Sequence, residues 1–151
     1  MNTDHDHAVY EAHFMRTPLQ LLVGAGWKRL VAFRVDSAGV LLGGSLAQYE
    51  KQTAFVPWED ITSLVVWQQR TAGQGLNHIG VHRRPGSPRL AGPNSRMTPE
   101  QAARTAPHVE YELLLASRPI SWWRLAPERL KVATDTFAPG IPVLAYDRLS
   151  P

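Results

Sequence analysis

The sequence contains no cysteine. That absence excludes disulfides, thiolate zinc sites and cysteine nucleophiles together. Small extracellular domains often depend on disulfides, so a reducing compartment is favoured and the cytoplasm is the expected location. No apolar run approaches the ~20 residues of a membrane span. The longest lies around Leu19–Ala25, and Met1–His7 carries Asp4 and Asp6 without an apolar stretch, so no signal peptide is read there. Lysine is scarce, with only Lys28, Lys51 and Lys131; arginine carries the rest of the positive charge.

Familiar catalytic signatures are missing too. There is no G-x-S-x-G and no G-x-x-x-x-G-K-[ST], and Gly24-Ala25-Gly26 lacks the third glycine and the helix of a dinucleotide loop. His5 and His7, beside Asp4 and Asp6, have metal-binding chemistry but sit near a terminus. A structural metal needs about four converging ligands on ordered backbone. His78 and His82 share one face of a predicted strand, roughly 13 Å apart by strand rise, too far for one ion. Glu110 with Glu112, and Glu59 with Asp60, are the paired carboxylates, and pairs on a strand face usually meet solvent. The expectation is a non-catalytic protein with no metal and no cofactor.

What is present suits one soluble domain. At 151 residues and 44% hydrophobic, the chain can bury roughly 70% of its unfolded surface. Charge is uneven. Between His82 and His108, Arg83, Arg84, Arg89, Arg96 and Arg104 face only Glu100, a net +4 against +3 for the whole chain, leaving −1 elsewhere. Pro85, Pro88, Pro93, Pro99 and Pro107 fall in the same stretch.

Strand alternation runs through Leu30–Val35, and Asp36-Ser37-Ala38-Gly39 is a turn into Val40–Gly43. Val9–Arg16 is a strand or an irregular arm, and Leu19–Gly26 is ambiguous. Thr53–Pro57 reads as a strand ending, or lying at an edge, at Pro57. Trp58-Glu59-Asp60 is a corner. Strands are also predicted over Ile61–Gln69, Asn77–Arg83, Val109–Ala116 and Ile120–Leu125. Thr98-Pro99-Glu100-Gln101 starts a short helix to about Thr105. A second helix runs from Pro127 to about Phe137, with Leu130, Ala133, Thr134 and Phe137 on one face.

Three runs, VDSAGVLLGG, FVPWEDITSLVVW and WWRLAPERLKVATDTFAPGIPVL, resemble the bacterial pleckstrin-homology-like domains over about Leu30–Val143. The resemblance implies a mainly β fold: a seven-stranded antiparallel barrel or sandwich capped by a C-terminal helix. Residues 1–28 are then an N-terminal arm, 29–144 the domain with an insertion at 84–107, and 145–151 a tail. The fold hosts unrelated binding roles, so function rests on the site.

The leading expectation is a binding or adaptor module acting on another protein, or on itself, through a sheet edge or the cleft beside the C-terminal helix. Trp58, Trp122, Trp123 and Arg124 are its candidate residues. Trp122 and Trp123 are adjacent, so one points inward and one outward; tryptophan is enriched at binding hot spots. The alternative is anionic-ligand or nucleic-acid binding by Arg83, Arg84, Arg89, Arg96 and Arg104. Nucleic acid comes second, because no aromatic interleaves these arginines to stack on bases. The short acidic turn Asp36–Gly39 argues against phosphoinositide binding.

Overall fold

The computed structural model describes residues 8–16, 29–71 and 74–146. The run Leu19–Gly26, the His5–His7 cluster and the end of the tail, 147–151, lie outside the described residues.

Asp36 sets the first hairpin. Its Oδ1 accepts from the backbone N–H of Ala38 (2.8 Å) and Gly39 (3.2 Å), closing the turn between β2 (Val31–Val35) and β3 (Gly39–Leu42). Gly39 is obligatory there: φ is +156°, and a Cβ would lie 2.1 Å from the Val56 carbonyl. β1 (Tyr10–His13) lies inside the expected arm and pairs antiparallel with β2. β4 (Ala54–Pro57) pairs with β3 and ends the sheet, so Pro57 sits on an edge as expected. A short helix α1 (Tyr49–Gln52) bridges β3 and β4.

The second sheet is built on a long hairpin, β5 (Ile61–Thr71) against β6 (Gln74–Arg83). Its order is β7-β6-β5-β8, with β7 at Ser117–Pro119 and β8 at Val143–Tyr146. β8 runs parallel to β5. It crosses the boundary expected at 144. The protein is therefore mainly β; among the described residues there are two four-stranded sheets and short helices, and no barrel closes.

The apolar run of β5 is continuous because both of its faces are covered. Leu64 and Val66 join the larger core, with Phe33, Val35, Val40, Val56, Ile79 and Val81. Val65 and Trp67 face the other way, into a second core closed by Ala102, Ala106, Val109, Leu113 and Leu114. The basic stretch thus folds over the outer face of the second sheet. Within it, α2 (Pro99–Thr105) starts at the expected capping box: the Thr98 hydroxyl accepts from Gln101 N–H, and the Gln101 side chain accepts from Thr98 N–H.

Two predicted strands are corrected. Val109–Ala116 is not a strand; its central residues form the helix α3 (Tyr111–Leu115). Leu113, Leu114 and Leu115 are all buried. An exposed-face strand would have put Leu114 outside with Glu110 and Glu112, whereas a helical turn buries all three leucines. Ile120–Leu125 is not a strand either: β7 precedes it, and residues 120–126 form a loop. The terminal helix α4 (Pro127–Phe137) keeps its predicted limits. It packs on β1 and β2, with Leu130 and Ala133 in the larger core and Phe137 partly buried against it.

Candidate functional site

The loop between β7 and α4 places two neighbouring tryptophans in opposite settings. Trp123 is 3% exposed. Its ring stacks on Phe33 at 6.0 Å between centroids, and its indole N–H donates to the Pro119 carbonyl (3.0 Å). Trp122 is 54% exposed and has φ +65°, the one positive φ outside glycine among the described residues. The left-handed region is unfavourable for a bulky side chain by about 1–3 kcal/mol. The strain persists because neighbouring groups fix the backbone: Met15 N–H donates to the Trp122 carbonyl (2.7 Å), and the Tyr10 hydroxyl accepts from Ala126 N–H (2.9 Å). One tryptophan does point inward and the other outward, but a left-handed residue divides them rather than strand alternation.

Trp122 and Trp123 border a groove of about 290 Å³. Phe14, Leu46, Pro93 and Pro119 supply more apolar wall, and Gly43-Gly44 forms one side. Gly43 lets the backbones meet, since a Cβ there would lie 2.4 Å from the Val31 carbonyl. That size is at the small end of ligand clefts, room for one or two side chains.

Arg118 also lines the groove, although it is 2% exposed. Nε donates to Gly43 O (2.9 Å), Nη1 to Ser117 O (3.0 Å), and Nη2 to Gln52 O (3.0 Å) and Ala91 O (2.9 Å). It ties the first sheet, α1 and the basic stretch together. No carboxylate pairs with it among the described residues. Burial pulls its pKa down to about 10, which leaves it charged at neutral pH. In the sequence Arg118 falls between the predicted strands Val109–Ala116 and Ile120–Leu125, and nothing in its local pattern marks it as buried.

The other candidates fall elsewhere. Trp58 is half-buried at the corner, and its indole N–H donates to Asp36 O (2.8 Å), so it braces the first hairpin away from the groove. Arg124 is exposed two residues beyond Trp122. The five arginines of the basic stretch do not converge. Arg96 and Arg104 line an open depression with Gln101. Arg89 donates to the Ser95 carbonyl. Arg83 and Arg84 border a recess of about 480 Å³ that also holds Thr62, His82, Ser87, Glu110 and Glu112. Arg83 donates to Pro88 O, and Arg84 Nε to Glu59 O (2.6 Å).

Two residues of that recess, His82 and Glu110, join Tyr146 in a cluster the sequence did not suggest. Tyr146 of β8 donates to Glu110 Oε1 (3.0 Å), and His82 Nε2 lies 3.5 Å from Glu110 Oε2. Burial would raise the Glu110 carboxyl, but its own backbone N–H, Tyr146 and His82 outweigh that and hold it below its usual value. Burial and the Glu110 bond push the Tyr146 hydroxyl upward. His78 lies apart, stacked on Trp67 at 4.1 Å, and burial lowers its pKa despite the Leu76 carbonyl. Among the described residues no three His, Asp or Glu side chains are grouped to hold a metal ion, and no helix is long and apolar enough to cross a membrane. Comparison of the chain with protein-family models, with curated proteins and with solved structures finds no match.

Proposed function

We propose that the protein is a non-catalytic binding or adaptor module that takes a protein partner in the groove at Trp122. The observation that carries this is a strained, exposed tryptophan at the mouth of an apolar groove. Strained residues persist where surrounding structure over-determines them, and they cluster at ligand clamps. Tryptophan is also the residue most able to anchor a protein interface. The sheet edges are weaker routes: Pro57 removes a donor from β4, and the exposed Val143 and Leu144 of β8 are aliphatic residues rather than an aromatic anchor.

A pleckstrin-homology-like fold is part of the same proposal. Among the described residues six strands precede α4 within the stretch that carries the resemblance, β1 of the arm adds one more, and α4 packs on the larger core. The anion-binding alternative has less support, because its arginines are dispersed and two of them share a recess with Glu110 and Glu112.

The test is affinity capture from the native cell extract with the wild-type chain and Trp122→Gly side by side. Glycine accepts φ +65° without strain, so the variant stays folded while losing the anchor. Proteins retained by the wild type and lost by the variant support the proposal. Identical capture profiles, with both proteins folded by circular dichroism, would remove it.

A further inference from the structure

We infer that the groove is built for an acidic segment of a protein partner, one that inserts an apolar side chain beside Trp122 and sets carboxylates against the surrounding arginines. The inference rests on the binding role proposed above and specifies the chemistry of the partner.

Two separate observations lead to it. The first is Arg118. A guanidinium 2% exposed, lining an apolar groove, ordinarily has a carboxylate counter-charge. Here its hydrogen bonds all go to neutral carbonyls. Those dipoles satisfy the donors but leave the net charge in place. In a medium of low dielectric that charge acts over a longer range than it would in water.

The second is the rim. Arg16 follows Met15, whose N–H is bonded to Trp122 O, and Arg29 precedes Leu30, whose carbonyl accepts from Phe14 N–H. Arg124 lies two residues beyond Trp122. All three are exposed, and none forms an ion pair among the described residues. Among the described residues, only Arg118 of the charged ones lines the groove itself; counted with the chain that flanks its lining, 14–16, 29–32, 43–50, 93 and 118–124, there are four arginines and one carboxylate, Glu50. That net +3 stands beside the +4 of the 82–108 stretch, and the remainder of the chain is acidic. Such a field speeds the encounter with an acidic partner and rejects a basic one. The volume of about 290 Å³ limits the buried part to one or two side chains, which suits a short peptide anchor.

A displayed library of short random peptides tests this, selected in parallel on the wild-type chain, on Trp122→Gly and on the rim variant R16E/R29E/R124E. Arg118 is left intact because its carbonyl bonds hold the fold. The wild type is expected to enrich an aromatic or aliphatic residue flanked by Asp or Glu. The affinity of the leading peptide should fall by about tenfold or more on the rim variant, since like charges then face each other. It should also weaken with added salt. Trp122-dependent peptides that are neutral or basic would overturn the inference and leave the binding role standing. No Trp122-dependent enrichment would remove the binding role and the inference with it. Sedimentation showing a dimer abolished by Trp122→Gly would assign the groove to a second copy of the chain, and would likewise overturn the acidic partner.

Discussion

The groove at Trp122 and the recess at Glu110 treat their charges in opposite ways. At the recess, His82 and Glu110 contact each other and Tyr146 beside it, and Arg83 and Arg84 turn donors onto nearby carbonyls. Positive and negative groups sit together, and their bonds hold the β6 end, the start of α3 and β8 in place. In the groove, Arg118 has hydrogen bonds but no counter-charge, and the exposed aromatic beside it is strained. The contrast separates a polar cluster that serves folding from a surface left incomplete. Polar residues alone do not mark a site; an uncompensated charge beside an exposed apolar anchor is the more specific sign.

The largest effect should come from breaking the one residue that serves both fold and groove. Arg118→Ala leaves the carbonyls of Gly43, Gln52, Ala91 and Ser117 without their donor. Buried unsatisfied acceptors are costly, and losing a buried, multiply bonded side chain should destabilise by about 3–5 kcal/mol. Urea denaturation measures it. A loss below about 1 kcal/mol would mean that the guanidinium is not buried among these carbonyls.

An intermediate effect isolates the strain. Alanine normally stabilises relative to glycine, but at φ +65° the order reverses. Trp122→Gly should be more stable than Trp122→Ala by about 1 kcal/mol, because the left-handed conformation penalises a Cβ. Equal stability, or a more stable alanine variant, would show that residue 122 does not hold a positive φ.

The same contrast explains what could be read from the sequence. Local signals were legible where local chemistry decides: the Asp36–Gly39 turn, the Thr98 cap and the stripe of α4 all follow from side chains a few residues apart. α3 was missed because Tyr111, Leu113 and Leu115 mimic strand alternation; Leu114, apolar on the face given to Glu110 and Glu112, was the signal against it. β8 was missed because parallel pairing with β5 joins distant segments through backbone bonds that leave little trace in composition. Within the groove, Trp122 and Trp123 were legible as an inward and outward pair. The left-handed residue and the burial of Arg118 were not, since both arise from contacts with Tyr10, Met15, Gly43 and Gln52 across the fold.

The smallest effect concerns pH and should appear in the recess and the second core rather than in the groove. Burial keeps His78 neutral, with its pKa below the ordinary 6.5. The unfolded chain therefore binds the proton first, and stability present above pH 6.5 declines as pH falls below it. Glu110 has a depressed carboxyl, so its contribution is present above its ordinary value of 4.5 and is lost as pH falls through the lower folded value. Its side chain is 58% exposed, so solvent screening keeps that contribution small. Urea midpoints measured from neutral to acid pH should fall in two steps. His78→Phe should remove the step that begins near 6.5 and leave the second. Glu110→Gln should flatten only the acid step, because glutamine cannot ionise and its bond with Tyr146 no longer varies with pH. Trp122→Gly should leave both steps in place. If it removed either one, the groove and the recess would be coupled and the contrast between them would fail.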